Sequence, residues 1–440
     1  MVTQIRAACP WIKQPIVWIL LLGFALRLVS VYFNYPMMRP ENDRRMTIPA
    51  VRILEGKGLS LKDGAGPTAY RPPLYILWLV FNYVVFGKNA LFGPSLLQAF
   101  ASTANILLLY FLAKQIWENA SIANLSALLL AIHPYSVYHD PQLYHTFLST
   151  GLLLSGFWML FRGMEIKQWK YLVLSGSLFG LCILVISTFV PFLAFLILAG
   201  LFLWRIAWRK RIELVSAFIL GLCLTWSPWI IRNAIAFHHF IPLTTDSGVT
   251  LWMGNNPVSR ELLKIREHEA SPVPKGTAFN IPEFYEGCKT PNWCTSGISE
   301  YDESKELTAM AINWIKNHPA DFFSLTLWRL EGIWSPFLTP PKIISSSAIL
   351  SHFIRYGYAV WNLGLAVLFL IGTREAWRAQ KKFELAITGA IVLIGTSAYA
   401  LFLYYTKYRI PFEALLLPFC GAGLYSLWQI IRKHSKIKPS

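Results

Sequence analysis

The feature that most constrains this chain is a series of long apolar runs, each close to the length that crosses a membrane. A transmembrane helix needs about 20 mainly apolar residues. Of the 440 residues, 55% are hydrophobic and only 14% are charged, and the mean hydropathy is +0.44. A soluble core could not absorb so many uncapped apolar helices. The sequence therefore predicts an all-α integral membrane protein.

The apolar runs predict about ten transmembrane helices, together with interfacial helices and an outward-facing loop region. The predicted spans fall near residues 15–33, 94–112, 121–138, 145–161, 171–187, 189–204, 213–230, 351–371, 384–403 and 411–430. They divide the chain into three parts. These are an N-terminal transmembrane half at 1–230 with its first outer loop at 34–93, an outward-facing region at 231–350, and C-terminal transmembrane helices at 351–440.

Basic residues set the predicted orientation. The net charge is +17, and Lys and Arg of membrane proteins concentrate in short cytoplasmic loops. Arg6 and Lys13 precede the first span, and basic clusters follow several later spans. We therefore expect both termini in the cytoplasm and the two large segments outside. The same rule accounts for the charge without a nucleic-acid partner.

Two apolar segments are predicted to lie along the outer interface rather than to cross. Residues 74–87 are too few for a span, and counting them as one would invert every later loop. Residues 319–335 contain Arg329 and Glu331, which are costly at the bilayer centre. A further helix is predicted at 299–317, where His318-Pro319 stops it.

Short motifs in the outward-facing segments resemble one enzyme family. They are Pro67-Thr-Ala-Tyr-Arg-Pro-Pro-Leu-Tyr75, Pro228-Trp-Ile-Ile-Arg-Asn233, Leu251-Trp-Met-Gly-Asn-Asn-Pro257 and Tyr408-Arg-Ile-Pro-Phe-Glu413. In order and spacing they resemble the GT-C fold glycosyltransferases of family 39, the dolichyl-phosphate-mannose-protein mannosyltransferase-like group, which includes aminoarabinose transferases. The resemblance covers roughly residues 15 to 430.

The resemblance implies an inverting transferase of the cell envelope. It implies that a sugar carried on a polyprenyl phosphate moves to an acceptor glycan, lipid or protein on the outer face of the membrane. It also implies that a carboxylate from the first outer loop lies near the acceptor. Membrane lipids and the lipid-linked donor are therefore the expected partners, and no nucleic acid is expected.

The first outer loop supplies the candidate base. The family's usual Asp position falls on Asn42, which Glu41 and Asp43 flank. We expect Asp43 to orient or deprotonate the acceptor, with Glu41 as the second candidate. The third candidate base is Asp140, which follows the third span. Alternatively, Asp140 is an interfacial helix-cap residue before Pro141. Two possibilities stay open: the catalytic base has moved to a residue beside Asn42, or this chain has lost the base.

Cations near the outer face are predicted to hold the donor phosphate. The planar guanidinium of arginine binds two phosphate oxygens at once, which favours Arg71. Lys407 and Arg409 lie on the outer side against the orientation rule, so a function is expected for them. The other candidate substrate-binding residues are Tyr70, His139, Arg232, Asn255, Asn256 and Tyr408. Alternatives to substrate binding stay open. Arg71 could be a snorkelling arginine, Lys407 and Arg409 could contact lipid headgroups, and Asn255 and Asn256 could form a turn.

Two other classes of function stay open. A lipid-linked sugar flippase or transporter would also be basic and multi-span, but it is expected to show repeated halves and ionisable groups at mid-span. Here the spans are nearly free of charge except for Arg27, which favours an interfacial enzyme. A non-catalytic relative is the third class. The sequence shows no metal-ligand spacing, so no metal is assigned, and a requirement for a divalent metal stays open.

Cys288 and Cys294 are predicted to form a disulfide in the outward-facing region. The compartment is oxidising, and further Cys or His at ligand spacing is lacking nearby. Closing this short ring should stabilise the loop by about 2 kcal/mol on the chain-entropy estimate. Mass spectrometry of non-reduced peptides should recover the two cysteines linked. Their recovery as free thiols from an oxidising compartment would refute the disulfide.

Overall fold

The computed structural model describes residues 14–34, 44–64, 66–88, 90–204, 206–257, 259, 299–337, 348–402 and 406–435. Within these ranges the regular structure is entirely helical. The N-terminal half contains α1 (Pro15–Asn34), α2 (Arg44–Leu54), α3 (Pro73–Phe86), α4 (Phe92–Trp117), α5 (Ala120–Ala131), α6 (Pro134–His139), α7 (Thr146–Ile166), α8 (Trp169–Ile183), α9 (Val190–Phe202) and α10 (Trp208–Phe237). The remainder contains α11 (Asp246–Gly254), α12 (Glu300–Asn317), α13 (Pro319–Trp334), α14 (Ala348–Arg378), α15 (Lys382–Leu401) and α16 (Ile410–Ser435).

The all-α membrane fold predicted from the sequence is confirmed. Seven helices are long and apolar enough to cross a membrane, namely α1, α4, α7, α10, α14, α15 and α16. The other three predicted spans correspond to the shorter apolar helices α5, α8 and α9. The short helix predicted at 74–87 is α3, which has 14 residues. The helices predicted at 299–317 and 319–335 are α12 and α13.

The residues at the two ends of helix α12 explain where this helix begins and ends. The Ser299 hydroxyl accepts a hydrogen bond from the backbone N–H of Asp302, which satisfies a free donor of the first turn. Acidic residues fill that first turn and Lys316 lies in the last, as the helix dipole favours. The helix ends at Asn317, immediately before His318 and Pro319.

Helices α8 and α10 pack backbone to backbone through glycines. A Cβ atom at Gly176 would meet the carbonyl oxygen of Phe218, and one at Gly221 would meet that of Val173. Small residues allow such close approach between helices in a membrane, where the hydrophobic effect does not drive helices together. Any larger side chain at Gly176 or Gly221 would push the two helices apart.

A buried ion pair fixes the segment after α6 to α1 and α4. The Arg27 guanidinium lies 3.4 Å from Oδ2 of Asp140, and their side chains are 0% and 2% exposed. The hydroxyls of Ser102 and Ser136 donate to the same oxygen, and Nε of Arg27 donates to Ser102 at 2.7 Å. Each charge is paired where water is excluded, so each depends on its partner.

We expect Arg27→Gln and Asp140→Asn each to lower the free energy of unfolding by about 3–5 kcal/mol, because each leaves one buried charge without its counterion. The double variant should recover part of that loss. Thermal unfolding of the purified protein in detergent measures all three. Arg162→Gln is the control, because Arg162 pairs with Glu165 at an exposed site. A double variant less stable than both single variants would count against the pairing as the source of the effect.

Candidate functional site

The candidate site is built on the turn at 68–71, which leads into α3. Pro72 and Pro73 follow it, and Pro73 opens the helix at a position where a missing N–H costs nothing. Each proline ring fixes φ of its own residue. The N–H of Leu74 donates to the carbonyl of Leu184 at 2.9 Å. The backbone that carries Arg71 is therefore held on its C-terminal side.

Arg71 forms an ion pair with Asp246, the first residue of α11. The two side chains are 26% and 13% exposed, so the pair lies at a surface that a substrate can reach. The ring of Tyr70 lies between two arginines, with the guanidinium carbons of Arg45 and Arg71 at 4.9 and 5.6 Å from its centroid. Burial, and then the charge of Asp246, raise the pKa of Tyr70. Tyr70 therefore stays a neutral phenol.

A second wall of the site comes from the turn Thr406–Arg409, which precedes α16. Nζ of Lys407 lies 3.4 Å from the centroid of the Tyr144 ring. The hydroxyl of Tyr144 donates to that of Tyr408 at 3.0 Å. A cation over an aromatic face is attracted by the ring quadrupole. In this wall the Lys407 ammonium group therefore lies over the Tyr144 ring, which is hydrogen-bonded to Tyr408.

His145 connects the two walls. Its ring is 5% exposed, stacks on Tyr408 with the centroids 6.4 Å apart, and meets Tyr75 of α3 edge-on at 6.2 Å. Burial lowers the pKa of His145 well below its ordinary value, and the charges of Lys407 and Arg71 lower it further. The ring of Tyr144, over which Lys407 lies, is centred 4.0 Å from that of His145, so this imidazole adjoins the Lys407 wall.

His139, the last residue of α6, packs edge-on against Tyr135 and Tyr138, with ring centroids 4.9 and 4.8 Å apart. Burial, and then the charge of Lys407, lower the pKa of His139 to about 3. Like His145, it is neutral at physiological pH. The positive charge of this region therefore comes from Arg71 and Lys407 and does not come from the histidines.

Arg409 is buried in contacts with neighbouring helices, and its guanidinium carbon lies 5.6 Å from the centroid of the Tyr135 ring. It is 1% exposed, and its Nε lies 3.0 Å from Glu413 of α16. Its other nitrogens donate to the carbonyls of Ile333 and Ser335 and to Asn362 of α14. These contacts join the end of α13 to α14 and α16. The donors of Arg409, predicted as a phosphate contact, are thus taken up by contacts within the protein.

Asn255 and Asn256 close the end of α11. The buried amide of Asn255 donates to the carbonyl of Leu401 at 2.9 Å and accepts from Arg329 of α13. The amide of Asn256 donates to the carbonyl of Trp252 at 2.8 Å. These bonds join α11 to α13 and to the end of α15. Both residues, predicted as substrate contacts, thus make contacts within the protein.

Arg232 and Glu300 hold the turn at 68–71 from two sides. Arg232 donates to the carbonyl of Thr68 at 2.8 Å. Glu300, the first residue of α12, accepts from the Thr68 hydroxyl at 2.8 Å and from the backbone N–H of Ala69 at 2.9 Å, and also from the hydroxyl of Thr245. Arg232, predicted as a substrate contact, therefore supports the backbone next to Tyr70 and Arg71.

Sequence reasoning missed Asp246 and Glu300. The only signal for Asp246 was its place in the polar run Thr244-Thr-Asp246, within the region of the family motifs. Glu300 is one of several acidic residues at the start of α12, and nothing in the sequence separates it from its neighbours. Both gain their role from contacts with a turn that is distant in sequence.

Several predicted residues lie outside the part of the chain that the structure describes. These are the candidate bases Asp43 and Glu41 and the cysteines Cys288 and Cys294. Arg45, two residues after Asp43, contacts Tyr70 in the site. Among the residues that are described, no three His, Cys, Asp or Glu side chains are grouped to hold a metal ion.

Comparisons with known proteins agree with the resemblance drawn from the motifs. Residues 70–231 match the family model described as dolichyl-phosphate-mannose-protein mannosyltransferase. The undecaprenyl phosphate-alpha-4-amino-4-deoxy-L-arabinose arabinosyl transferase of Pseudomonas aeruginosa is 24% identical over 438 residues, covering 94% of this chain and 74% of that protein. The enzyme of the same description from Pseudomonas paraeruginosa is 25% identical over 434 residues, with the same coverage.

A solved structure shares the fold. The oligosaccharyltransferase of Archaeoglobus fulgidus superposes with a TM-score of 0.53 at 14% identity, covering 97% of this chain and 52% of that protein. The chain therefore spans about half the length of this structural neighbour.

Proposed function

We propose that this glycosyltransferase, which uses a lipid-linked sugar, takes its sugar from undecaprenyl phosphate and transfers it with inversion on the outer face of a bacterial inner membrane. The names of the relatives support this carrier. The observation that carries the proposal is the partly exposed Arg71–Asp246 ion pair, together with Lys407 over the ring of Tyr144, which adjoins His145.

The two cations suit the departing phosphate. In the reaction the acceptor attacks the anomeric carbon, the bond from that carbon to the phosphate oxygen breaks, and its electron pair stays on the phosphate. Donors aimed at this developing charge lower the barrier. Arg71 offers a planar fork for two oxygens and Lys407 a point charge. Asp246 holds the Arg71 side chain at the site before the donor arrives.

The acceptor proton needs a base on the opposite side of the sugar, since inversion requires attack from the face away from the phosphate. We propose Asp43 for this role and Glu41 as the second candidate. Arg45 follows Asp43 closely in sequence and contacts Tyr70, which supports a first outer loop that reaches the site. Asp140 is assigned a structural role, because it is buried against Arg27.

A transfer assay with radiolabelled sugars on polyprenyl phosphate tests these roles. Asp43→Asn should lower kcat by about 10²–10⁴-fold, the usual worth of a general base, and leave donor binding intact. Arg71→Ala and Lys407→Ala should weaken donor binding by about tenfold or more, because each removes a charge-assisted contact. Asp63→Asn is the control for the carboxylates, because Asp63 is a 79% exposed acid of the same loop.

Other outcomes of this assay would contradict specific parts of the proposal. Full activity of Asp43→Asn with loss of activity in Glu41→Gln would move the base to Glu41. Loss of activity in Asp140→Asn at unchanged stability would return Asp140 to the site. If no sugar is transferred from any polyprenyl-phosphate donor, the chain is a non-catalytic relative.

We also propose that the termini are cytoplasmic and that the site faces outward. In a variant whose six native cysteines are replaced, Lys62→Cys in the first outer loop should react with an impermeant thiol reagent in intact cells. Ala379→Cys, in the basic loop between α14 and α15, should react only after the cells are opened. Labelling of Ala379→Cys in intact cells would invert the orientation.

A further inference from the structure

One buried carboxylate joins the two segments that carry the Arg71–Asp246 ion pair. Glu300 is 4% exposed. Its Oε1 accepts from the backbone N–H of Ala69 at 2.9 Å and from the hydroxyl of Thr245, and its Oε2 accepts from the hydroxyl of Thr68 at 2.8 Å. The first and third of these donors belong to the turn at 68–71, and the second immediately precedes α11.

The residues that Glu300 holds are next to the ion pair itself. Arg71 follows Ala69 by two positions, and Asp246 follows Thr245 directly. The backbone N–H of Thr245 also donates to the carbonyl of Ala69 at 3.1 Å. A shift of either segment would therefore change where Arg71 meets Asp246.

The carboxylate is costly at this position, since a buried charge loses its hydration. Burial raises the pKa of Glu300, although its three donors and the nearby Arg232 act in the opposite direction. A residue that only filled space would carry no such cost. The hydrogen bonds from both segments offset this loss of hydration.

We infer that Glu300 is a positioning residue of the donor site, which holds Arg71 and Asp246 in register so that Arg71 reaches the donor phosphate. This inference rests on the proposed function of Arg71. It assigns to α12, which lies outside both walls of the site, a direct influence on donor affinity.

Binding of undecaprenyl phosphate alone to the detergent-solubilised protein tests this inference without any chemical step. Glu300→Ala removes all three hydrogen bonds and should weaken binding by about tenfold, the loss of one well-placed charged contact. Glu300→Gln should retain most of the affinity. Its amide oxygen can accept from Ala69 and Thr245, while its NH₂ donates to the Thr68 hydroxyl. Glu306→Ala is the matched control, an exposed glutamate of the same helix.

The effect must act through Arg71. In an Arg71→Ala background, Glu300→Ala should weaken binding little further, because the contact that it positions is already gone. Equal effects of Glu300→Ala on binding in both backgrounds would overturn the inference. A Glu300→Ala variant with lower thermal stability but unchanged affinity would also overturn it, because this result indicates a merely structural role. Unchanged affinity of Arg71→Ala would overturn the proposed role of Arg71, and the inference with it. Weak binding by Arg71→Ala with normal binding by Glu300→Ala would overturn the inference alone.

Discussion

The hydrogen bonds that converge on Glu300 fix the turn on which the candidate site depends. Thr68 and Ala69 donate to this carboxylate from one side, and Arg232 holds the carbonyl of Thr68 from the other. Two prolines then lead the chain into α3. With its backbone held by these contacts, the turn carries Tyr70 and Arg71 into the candidate site.

The charged residues that bear on the site fall into two groups, which differ in their burial and in their partners. Arg27 and Arg409 are buried, and carboxylates and backbone carbonyls take up their donors. Such pairs join helices and are costly to break. Arg71 and Asp246 are partly exposed, and Lys407 rests on an aromatic ring. A phosphate can reach the second group without the loss of a buried ion pair, which is why we place the donor there.

Much of the fold could be predicted because hydropathy and helix caps act locally. The spans, the short helix α3 and the bounds of α12 follow from nearby residues. The turn at 68–71 was identified as important through Arg71 and its prolines, and the structure brings Tyr70, Arg71, Lys407 and Tyr408 to one region. The surroundings of Arg409 and Asp140 could not be predicted in this way, because a sequence does not show that Asp140 pairs with Arg27 or that Arg409 donates to Ile333 and Asn362. Asp246 and Glu300 were missed for the same reason, and the role of Asp43 stays a prediction.

The central claim is that Arg71 and Lys407 together bind the phosphate of the lipid-linked donor. A cryo-electron microscopy structure of the protein in lipid nanodiscs with undecaprenyl phosphate tests it most directly. The account predicts phosphate density within hydrogen-bonding distance of both the Arg71 guanidinium and the Lys407 ammonium, next to His145. Phosphate density bound elsewhere, without contact to either Arg71 or Lys407, would contradict it.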